Sequence, residues 1–209
     1  MIIKVNQAGY TPVPYTAPVG ILETEVIDFD GIDDLVVLSS DLGVDIEENK
    51  TITFDCFLET NASSSFYNLF SFKSTNEDDF LVVSFSPGQN LIVIRKDVTF
   101  GQGHNYDISS YKDINISCEI IKTSSGITSF KIDSATITPI GNFAVTEPTS
   151  SNIGNFPGQS QIANYLSVWN IVISGLHSWG GYGNLNTNWV DSIGSIDGSV
   201  CGNPSLRNI

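Results

Sequence analysis

The chain has 209 residues, of which 41% are hydrophobic and only 15% charged, and it carries a formal net charge of −14. This length suits one domain with a sizeable core. With 9 Lys and Arg against 23 Asp and Glu, the chain would be repelled by phosphate groups, which argues against nucleic acid and anionic membranes as partners. No apolar run approaches the roughly 20 residues of a membrane-spanning helix.

The first twenty residues predict an extended N-terminal arm. They contain Pro12, Pro14 and Pro18, and proline fixes φ and removes a backbone hydrogen-bond donor, which disfavours a strand inside a sheet. A loose tail is the alternative. The same residues lack the apolar segment of a secretory signal, so we expect no export signal.

From residue 21 onward the sequence predicts strands with little interruption. Residues 51–59 and 114–121 alternate apolar and polar side chains, which places Cys56 and Cys118 on buried strand faces as reduced thiols. Hairpins are predicted at 80–95 and 120–132, because turn residues separate two apolar runs in each. Further strands are predicted near residues 21–29, 35–38, 66–73, 135–144 and 164–173.

The number and spacing of these strands predict an all-β fold, an antiparallel two-sheet β-sandwich of jelly-roll type, over residues 21–175. Residues 176–209 are rich in Gly, Asn and aromatic side chains and follow neither a helical nor a two-residue period. They are therefore predicted to form an irregular C-terminal extension. The chain would thus consist of an arm (1–20), a sandwich (21–175) and an extension (176–209).

Residues 26–38 read VIDFDGIDDLVVL. This stretch is similar to the first strand and turn of the laminin G-like, concanavalin A-like jelly-roll family, which the predicted sandwich resembles. Residues 116–133 are similar to a hairpin whose second strand ends in aspartate, and residues 165–174 to the final strand. The chain departs from the family at Ser134, where glycine is usual.

The C-terminal stretch 189–200, WVDSIGSIDGSV, is similar to the tails of such domains in virion proteins of tailed bacteriophages. This resemblance implies a non-enzymatic virion structural protein, such as a head decoration, fibre or tail component, located in the virion. Its partners would be other virion proteins, copies of itself and host-surface polysaccharide. The alternative is a secreted or viral carbohydrate-binding module, and a polysaccharide-degrading enzyme is favoured least.

Four carboxylates surround Gly31 at the end of the first predicted strand. Oxygen-rich loops of this kind bind Ca²⁺, which takes about six to eight oxygen ligands, and the resemblance also implies calcium sites near loops. A solvated acidic turn is the alternative. The candidate calcium ligands are Asp28, Asp30, Asp33 and Asp34.

The C-terminal segment combines aromatic rings with amide and carboxylate side chains. Sugar C–H faces stack on aromatic rings, and Asn and Asp hydrogen-bond sugar hydroxyls, so this set predicts a glycan site. The alternative is that the rings dock the segment onto the sandwich or a neighbouring subunit. The candidate residues are His177, Trp179, Tyr182, Asn184, Asn186, Asn188, Trp189 and Asp191.

No catalytic residue is predicted. The sequence contains two histidines, and neither lies in a nucleophile motif. Cleavage of polysaccharide requires two carboxylates across a cleft. The nearest set, Glu23, Glu25 and Asp28, does not have the spacing along one strand that jelly-roll glycosidases use. We therefore predict that the protein is not an enzyme.

Overall fold

The computed structural model describes residues 25–29, 34–38, 42, 49–59, 67–73, 80–86, 90–96, 103–123, 126–143, 152–154, 166–181, 189–194, 196–202 and 205–209. The predicted arm, residues 1–20, lies outside these ranges and stays a prediction. Every regular element within the ranges is a β-strand. In the same part of the chain, no helix is long and apolar enough to cross a bilayer.

Sixteen strands, numbered in chain order, form the described fold. They are β1 (Glu25–Phe29), β2 (Leu35–Val37), β3 (Lys50–Leu58), β4 (Tyr67–Lys73), β5 (Phe80–Ser86), β6 (Leu91–Lys96), β7 (Gly103–Asp107), β8 (Asn115–Thr123), β9 (Gly126–Ile132), β10 (Ala135–Thr136), β11 (Gly141–Phe143), β12 (Asn152–Gly154), β13 (Leu166–Ile173), β14 (His177–Trp179), β15 (Ser199–Cys201) and β16 (Ser205–Asn208).

These strands build two antiparallel sheets of eight strands each. Sheet I has the order β10-β9-β8-β3-β13-β1-β16, with β14 also pairing with β13, and sheet II has the order β11-β7-β6-β5-β4-β12-β2-β15. The predicted hairpins are present as β5–β6 and β8–β9. The prediction of an all-β, antiparallel two-sheet sandwich is confirmed.

The core lies between the sheets and follows from the two-residue alternation of the strands. In β3 every second side chain is buried, Phe54 and Cys56 among them. The ring of Phe54 meets that of Phe70 in sheet II edge-on, with centroids 5.0 Å apart, a favourable geometry for aromatic pairs. Burial and the neighbouring Cys118 raise the pKa of the Cys56 thiol, which keeps it protonated and unreactive.

The segment after Gly175 differs from the predicted irregular extension, because its described residues supply strands to both sheets. β14 pairs with β13, β15 forms the edge of sheet II beside β2, and β16 forms the edge of sheet I beside β1. The segment therefore passes from sheet I to sheet II and back. Strands of three or four residues are too short to show a two-residue period in a sequence.

The β9–β10 hairpin turns in two residues, since Ala135 pairs directly with Ile132. The turn residues Asp133 and Ser134 have φ values of 48° and 71°. Positive φ at both positions is the pattern of a type I′ turn, in which glycine is strongly favoured. Ser134 therefore holds a strained backbone conformation at the position where the resembled family has glycine.

We expect Ser134→Gly to raise the free energy of unfolding by about 0.5–1 kcal/mol, because glycine adopts positive φ without a Cβ penalty. Urea denaturation of the two proteins measures the difference. Thr136→Gly in β10 is the control, and it should lower stability because φ at this position is not positive. If Ser134→Gly were less stable than the native protein, the inference that the backbone at Ser134 is strained would be wrong.

Candidate functional site

The two described tryptophans of the C-terminal segment are core residues. Trp179 has no exposed surface and Trp189 is 5% exposed. The ring of Trp179 lies 5.9 Å from that of Phe72 in sheet II, and the ring of Trp189 lies 6.5 Å from that of Phe29 in sheet I. The indole N–H of Trp179 donates to the backbone carbonyl oxygen of Ile196 at 2.7 Å. Neither ring is accessible to a sugar.

The prediction of a glycan site therefore has to be corrected for the four candidate residues that the structure describes. His177, Trp179, Trp189 and Asp191 are all buried, and they dock the segment onto the sandwich, which is the alternative that the sequence left open. The other four members lie outside the described residues. These are Tyr182, Asn184, Asn186 and Asn188.

Asp191 is the polar centre of the loop between Trp189 and Gly198. Its side chain is fully buried, and the ring Nδ1 of His177 lies 2.5 Å from its Oδ2. Four backbone N–H groups also donate to this carboxylate, those of Ser178, Ile193, Gly194 and Ile196, at 2.9–3.3 Å. One carboxylate thus satisfies the donors of its own loop and fastens the loop to β14.

The hydrogen bonds to Asp191 determine whether its carboxyl group is charged. Burial by itself would raise the pKa of Asp191. The hydrogen bonds from His177 and from the backbone N–H groups outweigh burial and lower the pKa below its ordinary value. Asp191 is therefore an ionised carboxylate inside the protein at neutral pH.

His177 is held between two acceptors. Its Nδ1 faces the Asp191 carboxylate, and its Nε2 lies 2.6 Å from the backbone carbonyl oxygen of Leu42. Both ring nitrogens therefore face oxygen atoms, a carboxylate oxygen on one side and a backbone carbonyl oxygen on the other. The ring of Trp179 stacks on it at 5.1 Å. Although hydrolases also use His–Asp pairs, Nε2 is committed here to Leu42 and cannot take a proton from a nucleophile.

Asp28, the first of the candidate calcium ligands, is part of an ion pair instead. The Nε and Nη2 groups of Arg207 donate to its Oδ1 and Oδ2 at 3.0 and 3.1 Å, and the Ser167 hydroxyl donates at 2.7 Å. Arg207 also lies 4.0 Å above the ring of Phe57, which secures β16 on sheet I. Asp28 is thus engaged by Arg207 and Ser167 within the protein, and its role as a calcium ligand stays a prediction.

The other candidate calcium ligands give no support to a metal site. Asp34 is 1% exposed, whereas Asp30 and Asp33 lie outside the described residues. Among the residues that the structure describes, no three His, Cys, Asp or Glu side chains are grouped as a metal would require. Calcium binding stays a prediction.

A polar groove of about 440 Å³ lies on the outward face of sheet I. It crosses four neighbouring strands, β13, β3, β8 and β9, and we call it the sheet I groove. Its polar lining consists of Thr53, Asp55, Ser117, Glu119, Lys131, Ser134 and Asn170. The sequence analysis missed this site, because most of these residues occupy ordinary outward positions of strands and only the strand order brings them together.

Asp55 stands at the centre of the sheet I groove. The Ser117 hydroxyl donates to its Oδ1 at 2.6 Å, and the Asn170 amide donates to its Oδ2 at 2.7 Å. These donors come from β8 and β13, the strands on either side of β3. They fix the plane of the carboxylate, and each oxygen keeps a lone pair for a ligand.

A β-bulge directs Asn170 toward Asp55. The β13–β3 register shifts between Trp169 and Val172, and within this interval Asn170 adopts a φ of 49°. Bulges turn a side chain away from the direction that regular alternation would give it, and they are common beside functional sites. The bulge thus adds an amide to the groove that strand periodicity does not predict.

Glu119 and Lys131 form the opposite side of the sheet I groove. The Lys131 ammonium lies 2.6 Å from Glu119 Oε1, and each side chain is 33% exposed. The pair therefore reaches solvent and presents both a donor and an acceptor to a ligand. Combined with Asp55 and Asn170, the groove holds polar groups of both kinds on a rigid sheet.

Comparison with known proteins gave no matching family model and no matching curated protein. Among solved structures, the carbohydrate-binding module CBM66 from Bacillus subtilis is 7% identical, with a TM-score of 0.40 over 60% of this chain and 74% of that one. A Trypanosoma rangeli sialidase is 12% identical, with a TM-score of 0.39 over 61% of this chain and 20% of that one.

The galectin LEC-6 from Caenorhabditis elegans is 10% identical, with a TM-score of 0.35 over 88% of this chain and 96% of that one. None of these three is a bacteriophage protein. The fold is therefore identified from the strand pairing of the chain itself, and the candidate site from the sheet I groove.

We expect Trp179→Ala to lower the free energy of unfolding by about 3–5 kcal/mol, because it removes a large ring from the core. Trp179→Phe keeps an aromatic ring and should retain more than half of that stability. Chemical denaturation of both variants tests this. Unchanged stability of Trp179→Ala would mean that the ring is not part of the core.

We expect Asp191→Asn to lower the free energy of unfolding by about 3 kcal/mol or more, because His177 and four backbone N–H groups would lose the charged acceptor that they share. In the native protein the lowered pKa contributes stability above about pH 4, the ordinary value for Asp, and this contribution is lost as the pH falls through the lower native pKa. Asp191→Asn should therefore lack this part of the acid dependence.

Urea denaturation between about pH 3 and pH 7 measures both effects. The control is Asp107→Asn, which removes the same charge from an exposed residue. Hydrogen bonds from Ser109 lower the pKa of Asp107 as well, but they are local and exposed, so this variant should change stability by less than about 1 kcal/mol at every pH. If Asp191→Asn kept the acid dependence of the native protein, Asp191 would not be its source.

Proposed function

We propose that the protein is a non-enzymatic carbohydrate-binding protein and that its ligand occupies the sheet I groove. The observation that carries the proposal is the fixed carboxylate of Asp55. Two neutral donors hold it, Ser117 at 2.6 Å and Asn170 at 2.7 Å, and it faces an open, polar surface. A carboxylate so oriented can accept hydrogen bonds from two adjacent hydroxyl groups.

The size and chemistry of the groove suit a short glycan. Its volume of about 440 Å³ lies within the roughly 300–1,000 Å³ of small-molecule sites. Sugar hydroxyls both donate and accept hydrogen bonds, and the groove offers the acceptors Asp55 and Glu119 and the donors Lys131 and Asn170. The aromatic residue among the described lining, Phe54, has its ring buried in the core against Phe70 and offers no stacking face, so hydrogen bonds would supply most of the affinity.

The same groove is poorly arranged for hydrolysis. A glycosidase needs one protonated carboxyl group to donate to the glycosidic oxygen. Both carboxylates of the groove face donors instead, Asp55 the groups of Ser117 and Asn170, and Glu119 the Lys131 ammonium. Each carboxylate thus already accepts hydrogen bonds from neighbouring groups of the groove. This supports the prediction of a protein that is not an enzyme.

A location in a phage virion is a narrower proposal, which rests on the resemblance of residues 189–200 to virion proteins. It is compatible with glycan binding, because a particle protein that contacts host-surface polysaccharide would need such a groove. Association with other virion proteins and with copies of itself likewise stays a prediction. Binding of a glycan is the part of the proposal that the groove supports.

The test is titration of the purified chain with a panel of bacterial surface polysaccharides. Loss of one hydrogen bond of about 1 kcal/mol lowers affinity roughly fivefold, so we expect Asn170→Gly to bind at least about fivefold more weakly. Glycine accepts the positive φ at this position, so the variant should stay folded. Asp55→Ala should weaken binding further, because it removes the central acceptor.

Thr138→Ala is the matched control, since Thr138 is exposed and does not line the groove. It should bind like the native chain. Equal affinity of the native chain and Asn170→Gly would place the ligand elsewhere on the protein, and an absence of binding across the whole panel would contradict the proposed function.

A further inference from the structure

We propose that the sheet I groove selects glycans without acidic groups, either neutral or amine-bearing, and rejects uronic and sialic acids. Asp55 would be the residue that determines this specificity. The inference rests on the proposed function and adds to it the chemical class of the ligand. It follows from the way charges are distributed among the residues that line the groove.

Among the described residues, three charged side chains line the groove, and two of them neutralise each other. The Lys131 ammonium lies 2.6 Å from Glu119. The donors to Asp55 are neutral, the Ser117 hydroxyl and the Asn170 amide. The centre of the groove therefore keeps one negative charge that no cation among the described lining residues compensates.

A sugar carboxylate at this centre would lie beside the Asp55 carboxylate. Like charges placed together at an interface are strongly unfavourable and exclude the wrong partner. Lys131 offers only partial relief, because Glu119 already neutralises its charge, although its ammonium keeps N–H donors for a ligand. The net charge of −14 on the whole chain adds a long-range repulsion that slows the approach of acidic polymers.

Neutral and amine-bearing sugars are not repelled by the Asp55 carboxylate and can instead hydrogen-bond to it. A hydroxyl group that donates to an ionised carboxylate forms a charge-assisted hydrogen bond, about twice as strong as a neutral one. An ammonium group would additionally supply the missing positive charge beside Asp55. The groove crosses four strands about 4.8 Å apart, so a short oligosaccharide can lie across them and reach from Asn170 to Lys131.

The experiment compares oligosaccharides that differ only in charge. Neutral, amine-bearing and uronic acid forms are used in three series, with gluco, galacto and manno configuration, and binding is measured by calorimetry. In the series that binds, we expect the neutral or amine-bearing form to bind at least tenfold more tightly than the uronic acid form. Equal or tighter binding of the uronic acid form would overturn this inference while leaving the proposed function intact.

Asp55→Asn separates the local charge from the charge of the whole chain. It keeps the shape of the side chain and an acceptor oxygen but removes the negative charge. We expect the preference for non-acidic glycans to fall at least fivefold in this variant. Asp107→Asn on sheet II removes an equal charge far from the groove and should leave the preference unchanged.

A preference that fell equally in both variants would assign the selectivity to net charge and overturn the role of Asp55. Failure of the native chain to bind any member of the three series, together with failure on the polysaccharide panel, would instead overturn the proposed function itself. The two failures are therefore distinguishable.

Discussion

The ionised carboxylate of Asp191 is the interaction on which the C-terminal part of the fold depends. It accepts hydrogen bonds from His177, which is buried, and from half-buried backbone N–H groups. Without it these donors would be unsatisfied, at a cost of up to about 1–3 kcal/mol for a buried group. Trp179 fills the core beside this group. Because β15 and β16 follow the same loop, their places at the edges of sheets II and I depend on it too.

The two faces of sheet I carry different kinds of side chain. The inward face supplies apolar side chains such as Phe54 to the core, and the outward face carries the hydrogen-bonded set around Asp55. Because the inward face makes the sheet rigid, the outward groups keep their geometry without a ligand. A groove with fixed acceptors and an internal ion pair offers hydrogen-bonding partners to the hydroxyl groups of the proposed ligand.

The aromatic and acidic clusters of the sequence have structural roles in the part of the chain that is described. Trp179 and Trp189 lie in the core, and Asp28 is held by Arg207. Their residue types suit sugar stacking and calcium binding as well as burial and ion pairing, so composition alone could not separate these uses. The deciding quantities, the exposure of a ring and the partner of a carboxylate, depend on contacts with distant strands.

By itself the sequence determined the strands, because a two-residue alternation such as that of residues 51–59 specifies both the extended conformation and the buried face. It also determined the hairpins, whose partners are close along the chain, and the burial of Cys56. Only the tertiary structure decided where β13 and the short C-terminal strands pair, and hence the groove. Asp55 receives its hydrogen bonds from residues 62 and 115 positions away, and no local pattern encodes a pairing over such distances, because strand order is set by packing of the whole chain.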